Sequence, residues 1–305
     1  MRIATIDIGT NTVLLLIADI DNNGIKTLAY EQRTPRIGKN IDADAVIGKP
    51  AFTRVIDVFI EYKKIINSYK PEKVVAFGTS VLREAANKDE FVEFIKKETG
   101  IDVEILDGKE EAHWSYRGAI SGLLGDGKIV VIDIGGGSTE VSEGNLKDVH
   151  SVDSVNVGAV RISERFFWNN PPTQAEFQLA AEFINSAFSK LATGDFSSAR
   201  LIGVAGTPTT LASIDQGLKD FDVNKISGYA LSFEKINNIF QKLSKMRSED
   251  IRTLSNATEG RADIITAGTL ILLEFMKFRK FDELIVSERG VRYGIAIREW
   301  EKLSR

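Results

Sequence analysis

The sequence predicts an α/β protein built from two similar domains, and three observations lead there. Apolar strand-like runs alternate with helical stretches along the whole chain. A segment opening "IATIDIGTNTVLLLIADIDNNGIKTL" recurs in degenerate form as "KIVVIDIGGGSTEVSEGNLKDVHSV", with Asp7 and Asp133 in matching places 126 residues apart. Each copy has a strand ending in Asp-Ile-Gly, a turn of small residues, a second strand, an Asn-Gly or Gly-Asn reversal and a third strand. A second pair, "VVAFGTSVLREAA" and "LIGVAGTPTTLAS", puts Gly-Thr after an apolar strand at Gly78 and Gly206, 128 residues apart. Two pairs in one register mark a duplication.

The elements follow in order. Strands are expected at 2–8, 12–20 and 25–33, the last pair joined by the Asn23-Gly24 reversal. Helix 50–69, strand 73–78, helix 88–99, strand 102–106 and helix 109–123 complete the first half. The stretch "GLLGDGK" breaks that last helix, so the division is expected near Gly125 to Lys128, giving domains 1–125 and 126–305, with the final helix free to pack back on the first. The second half repeats the pattern with strands 128–134, 138–144 and 147–155, helix 173–193, strand 200–205, helices 207–217, 232–246 and 261–279, strand 283–286 and helix 290–304. "GLLGDGK" nearly spells a phosphate-binding P-loop, but Ile129 stands where a Ser or Thr is needed, and a strand follows instead of a helix.

Composition narrows the chemistry. With 305 residues, 43% of them hydrophobic, the chain can bury a sizeable core. No apolar run approaches the roughly 20 residues of a membrane span, and Met1 leads directly into a strand, so no membrane association and a cytoplasmic location are expected. With no Cys, and His113 and His150 as the only histidines, thiolate and zinc chemistry are improbable, and any metal should be a hard cation held by oxygen. The net charge of −4 supplies no field for duplex nucleic acid, so an anionic substrate must be held by local Arg, Lys and backbone N–H groups.

"VVIDIGGGSTE" carries the most chemistry. Asp133 ends one strand and "STEVS" alternates as the next, so the glycines form a hairpin turn whose bare backbone can bring N–H groups close to an anion. Alone, such a turn also reads as an ordinary surface hairpin. Its duplicate "DIGTNT" suggests two turns converging on one phosphate from opposite walls of a cleft. The candidate phosphate-binding residues are Gly9, Thr10, Asn11 and Thr12 in one turn, Gly135, Gly136, Gly137, Ser138 and Thr139 in the other, and Gly206 and Thr207 of "GVAGT". Asp7, Asp133 and Glu140 are candidate ligands for Mg²⁺, which keeps several waters and bridges to phosphate oxygens.

These segments, in this order, resemble the phosphate and adenosine motifs of the actin, sugar-kinase and heat-shock ATPase superfamily. Within it the chain is similar to the Ppx/GppA family of exopolyphosphatases and pentaphosphate-guanosine phosphohydrolases. "DIGTNT" at 7–12, "GTSVLREAAN" at 78–87, "ILDGKEEAHWSYRGA" at 105–119, "VIDIGGGSTE" at 131–140, "NVGAVRISERF" at 156–166, "GVAGT" at 203–207, "GRADIITAGTLIL" at 260–272 and "SERGVRYG" at 287–294 carry the resemblance. It implies two actin-like, ribonuclease H-like domains facing a central cleft, Mg²⁺ as cofactor, and polyphosphate or a guanosine polyphosphate as substrate. A homodimer is also expected. Two departures stand out: Glu288 replaces the Asp of many relatives in "SERGV", and the sequence stops at Arg305 where longer members continue into helical domains, which leads to an expectation of short substrates handled distributively.

The resemblance also makes Glu111 the catalytic residue, and the residues agree. On a helix, Glu111, Ser115, Gly118 and Gly122 share one nearly bare face, which suggests a carboxylate projecting into a cleft. Glu110 shares a side with Trp114 and Arg117 and reads as a first-turn acid favoured by the helix dipole. Arg83, near the opening of a helix, is a candidate phosphate ligand, the alternative being an ion pair with Glu84 or Asp89. Arg33, Arg36, Lys39, Arg261 and Arg289 are weaker candidates for holding the rest of the substrate, and "RFFWNNPP" reads as packing plus a helix stop. Three functions stay open at this point: a Mg²⁺-dependent phosphohydrolase, a superfamily kinase, and a non-catalytic alarmone-binding regulator.

Overall fold

The computed structural model describes residues 1–41, 45–191, 196 and 198–304. In chain order its elements are β1 (Arg2–Ile8), β2 (Val13–Asp21), β3 (Gly24–Arg33), α1 (Lys49–Tyr69), β4 (Lys73–Gly78), α2 (Ser80–Glu84), α3 (Lys88–Thr99), β5 (Val103–Ile105), α4 (Gly108–Ile120), β6 (Ile129–Ile134), β7 (Thr139–Gly144), β8 (Val149–Val155), α5 (Ala159–Phe166), α6 (Gln174–Phe188), β9 (Arg200–Val204), α7 (Gly206–Asp215), α8 (Val223–Ile226), β10 (Ala230–Ser232), α9 (Phe233–Leu243), α10 (Ser248–Arg252), α11 (Asn256–Glu259), α12 (Ile265–Arg279), β11 (Glu283–Val286) and α13 (Val291–Leu303). The expected helix 173–193 stops five residues early, and its positions 192 and 193 lie outside the described residues.

The chain forms two compact units, Met1–Leu123 with Arg289–Arg305, and Leu124–Glu288. The sheet of the first unit runs β3-β2-β1-β4-β5, and that of the second, read from its β8 edge, runs β8-β7-β6-β9-β11-β10. Both therefore place an antiparallel three-strand meander beside strands that return parallel to its first member. The central β1 and β6 are buried on both faces and read as almost continuous apolar runs, whereas the outer β3 and β8 are half exposed and more polar.

In the first unit α1 and α3 cover one face of the sheet with Phe52, Phe59, Tyr62, Phe91 and Ile95. The other face is closed by α4 and by the C-terminal α13, whose Val291, Ile295 and Ala296 pack with Ile3, Val75 and Phe77. The sequence reading divided the chain near Gly125 to Lys128 and left the last helix free to pack back on the first domain; α13 is part of the first unit. Two glycines permit this. A Cβ on Gly294 would lie 1.8 Å from the Trp114 carbonyl oxygen, and one on Gly118 would lie 2.0 Å from that of Gly290. The bare face of α4 is thus taken up, at Gly118, by the start of α13. In the second unit a larger core centres on α12, whose residues Ile265 to Met276 are all buried.

Candidate active site

Both units close the turn after their first strand in the same way. The turn after β1 is closed by Gly9 N–H donating to the Thr12 carbonyl at 2.9 Å, and the turn after β6 by Gly135 N–H donating to the Ser138 carbonyl at 3.0 Å. A side chain at either glycine would crowd that carbonyl at 3.2 or 3.1 Å. In both, the next segment then captures the turn's outward carbonyls. Gly38 and Arg36 N–H donate to the Thr10 and Asn11 oxygens at 2.8 and 3.0 Å. In the second unit Ala159 N–H donates to the Gly135 oxygen at 2.9 Å, Val160 and Arg161 N–H donate to that of Gly136 at 2.9 and 3.2 Å, and Arg161 Nε donates to that of Gly137 at 2.9 Å.

The consequence is directional. With three successive carbonyls of the glycine turn bound to the start of α5, the amides of Gly136 and Gly137 donate to no backbone oxygen among the described residues, and successive N–H groups of this kind can hold an anion. Gly158 makes the close approach possible, since a Cβ there would lie 2.3 Å from the Gly136 oxygen. Thr139, fully buried, uses its hydroxyl to fasten the Val157 carbonyl at 2.6 Å. The bracing residues Gly158 and Arg161 had no role in the sequence reading, although "NVGAVR" stood among its motifs.

Asp133 and Glu140 sit directly opposite each other in the β6–β7 register, 7% and 2% exposed. Glu140 Oε1 accepts the Ser154 hydroxyl at 2.7 Å. Like charges directly opposite in a sheet are unfavourable, more so when buried, and a cation shared between them removes the cost. The equivalent of Glu140 in the first unit is Leu14, paired with the buried Asp7, so only one of the duplicated hairpins carries two acids. Among the described residues no three His, Cys, Asp or Glu side chains gather around one point. The facing Asp133 and Glu140 are a donor pair of the kind that holds Mg²⁺ with water and substrate phosphate completing the shell.

The "GVAGT" turn enters α7 through a left-handed residue, Ala205, at φ 69°. A non-glycine residue there is strained, and strain of this kind collects at functional turns. Gly206 lies under the Arg261 guanidinium, which a Cβ would meet at 1.3 Å, so the structure brings Arg261 onto this turn. Thr207 is buried with its hydroxyl side against Gly268 of α12, where a Cβ would come within 2.3 Å of its Oγ1.

In the first unit, α4 starts with a capping box in which Asp107 accepts from Lys109 and Glu110 N–H and Glu110 accepts from Asp107 N–H. Glu110 is exposed and spent on that cap; Glu111, one residue on, is buried, its side chain 9% exposed. Arg83 on α2 donates to the Glu111 carboxylate and to the Leu106 carbonyl. The sequence reading favoured a phosphate contact for Arg83 over an ion pair with Glu84 or Asp89. Its observed partner is the predicted base, a compensation that a buried carboxylate requires. Arg33 is committed to Glu61 and Glu31, and Arg289 to Ser121 and the Tyr293 ring.

Known proteins resemble this chain in sequence and in fold. The bifunctional 3-dehydroquinate synthase/phosphatase of Fusobacterium nucleatum is 34% identical over 95% of this chain, which spans only 45% of that protein's length. Exopolyphosphatase 2 of Mycobacterium tuberculosis is 31% identical over 97% of this chain and 98% of its own. The crystal structure of the Ppx/GppA family member from Aquifex aeolicus superposes with a TM-score of 0.84 at 32% identity, covering 100% of this chain and 99% of that one, and its actin-like fold is the fold seen here. The model of the Ppx/GppA phosphatase family matches residues 16–303, and the chain belongs to that family.

Proposed function

We propose that the protein hydrolyses the terminal phosphoanhydride of inorganic polyphosphate, with Glu111 as general base. The observation that carries this reading is the pair of adjacent glutamates on α4: Glu110 is consumed by the helix cap, while Glu111 is buried, ionically compensated by Arg83 and held on a rigid element. In this role Glu111 takes a proton from water as the oxygen attacks the terminal phosphorus, the P–O bond to the bridging oxygen breaks, and orthophosphate leaves. The amides of Gly136 and Gly137, aimed by α5, take up charge on the phosphoryl oxygens. Asp133 and Glu140 would hold Mg²⁺, which would neutralise phosphate charge when bound.

The exopolyphosphatase of M. tuberculosis, matched over nearly its full length, supports polyphosphate as the substrate class. Guanosine pentaphosphate offers the same terminal anhydride and is the natural comparison. The test is phosphate release by purified protein with Mg²⁺, no added acceptor, and polyphosphates of graded length, guanosine pentaphosphate or ATP. Release from polyphosphate that stops in chelator is expected. Phosphate appearing only when an alcohol or sugar acceptor is supplied would overturn hydrolysis in favour of transfer, and full activity in chelator would remove the metal.

A further inference from the structure

In the first unit, the turn after β1 is held from behind by the segment 35–38, and that segment is held by one arginine. Thr10, in the turn, is 4% exposed, and its N–H donates to no backbone oxygen among the described residues. The carbonyls of Thr10 and Asn11 accept from Gly38 and Arg36 N–H at 2.8 and 3.0 Å, so residues 35–38 decide which way the turn faces. Contact is close along the whole stretch, since a Cβ on Gly38 would lie 2.3 Å from Thr10 Cγ2.

Arg36 is the informative residue of this segment. It stands in the left-handed region at φ 50°, a conformation that a non-glycine residue keeps only where its surroundings enforce it. Ile37, 1% exposed, seats the segment in the core, but the peptide planes on both sides of Arg36 are fixed by one side chain. Arg54 of α1 donates from Nε to the Pro35 carbonyl at 2.6 Å and from Nη2 to the Arg36 carbonyl at 3.2 Å. The peptide between Pro35 and Arg36 thus carries Arg54 on its oxygen and the Asn11 carbonyl on its N–H. In a trans peptide these two groups point opposite ways from one rigid plane, so turning the plane breaks both bonds together. A cationic donor on the oxygen also polarises the peptide and strengthens its N–H as a donor. The second unit reaches the same end in one step, with Arg161 Nε directly on the Gly137 carbonyl at 2.9 Å. Each turn has an arginine behind it, at non-equivalent places of the duplication.

We infer that Arg54 is a positioning residue for the reaction: it touches no substrate and sets, through the Pro35–Arg36 peptide, the direction in which the Thr10–Asn11 turn meets a phosphoryl group. This rests on the reading of that turn as a phosphate site.

Three measurements on the full chain, its Arg54→Met variant and its Arg54→Lys variant test the role: kinetics of phosphate release from polyphosphate with Mg²⁺, the thermal midpoint, and backbone amide exchange. In Arg54→Met, KM should rise at least about tenfold, the worth of one hydrogen bond to a charged group, while kcat and Tm stay close to those of the unsubstituted chain. Arg54→Lys keeps the charge and holds one carbonyl at a time, so it should recover part of the loss, and its raised KM carries the test if the Met variant fails to fold. An unchanged KM in either variant, with or without a lower Tm, makes Arg54 a loop tether and overturns the role. If the unsubstituted chain releases no phosphate, the functional reading fails by itself and amide exchange still decides. The Arg36 and Gly38 amides, bonded to the turn, should exchange at least about tenfold faster in Arg54→Met, and unchanged rates overturn the positioning.

Discussion

Two adjacent glutamates and one distant one show how environment, not residue type, decides what a carboxylate does. Glu110 closes a capping box and is exposed, so Glu110→Gln, which can still accept from the Asp107 N–H, should leave turnover and stability nearly unchanged. Glu111→Gln keeps the shape but cannot take a proton, and loss of a general base typically costs about 10²–10⁴ in rate. Phosphate release should fall by that order with substrate affinity kept; equal losses in the two variants would remove Glu111 from the role. Glu176 is a carboxylate spent on structure. Its Oε1 accepts from Trp168 N–H, Asn169 N–H and Asn169 Nδ2 at 2.6, 2.9 and 3.1 Å, and its Oε2 accepts from Thr173 N–H. Burial pushes its pKa up, but the hydrogen bonds from Thr173, Asn169 and Trp168 outweigh this and bring it from 4.5 to about 2. A depressed carboxylate stabilises above its unfolded value and loses that contribution as pH falls toward its folded one. The clip on the 168–173 loop should therefore be intact above about pH 4.5 and give way between there and about pH 2. Amide shifts of Trp168, Asn169 and Thr173 report it, and Glu176→Gln should abolish that transition.

Helices and turns in this protein are positioned by close backbone approach, and that is the part of the fold least visible in a sequence. The strands, the duplication and the long helices were legible because apolar periodicity and the repeated Asp-Ile-Gly depend on neighbours along the chain. Five short helices, α2, α5, α8, α10 and α11, and the three-residue β10 were not, the helices because four to eight residues hold too few turns for a helical period to register. The role of Arg161 was equally hidden: a buried arginine on a carbonyl 24 residues back leaves no local pattern. Removing its guanidinium in Arg161→Met should leave the Gly137 carbonyl uncompensated and let the turn reorient, raising KM for polyphosphate more than it lowers thermal stability. Unchanged KM with a lower Tm would make Arg161 purely structural. That the α4 and α13 glycines meet was equally hidden, since a bare helix face looks alike whether it borders a cleft or another helix. Gly118→Ala and Gly294→Ala place a methyl 2.0 and 1.8 Å from a backbone oxygen, so both should destabilise the first unit by about 1–3 kcal/mol, the usual cost of overpacking. Urea midpoints measure this, and a change of under a few tenths of a kcal/mol would show that the helices part easily.

At the scale of the molecule, the two units differ in how the chain closes them. Leu124–Glu288 is continuous, with its own core, whereas Met1–Leu123 is completed only by Arg289–Arg305, which arrives after the whole second unit. The helix α13 brings Val291, Tyr293 and Ile295 to full burial against β1, β2, β4 and α4. Burying a large apolar side chain is worth roughly 1.5–3 kcal/mol, so these three together contribute about 5–9 kcal/mol, and a typical folded unit is stable by only about 5–15 kcal/mol. Loss of α13 should therefore consume most of the first unit's stability while leaving the second untouched. A chain ending at Glu288 is expected to show one cooperative unfolding transition, that of residues 124–288, with fast amide exchange throughout β1 to β5. A chain spanning 124–288 alone should show the same transition at the same temperature. If the chain ending at Glu288 keeps slow exchange in β1 and β4, the first unit stands without its last helix, and α13 is a cover on a finished core instead of a part of it.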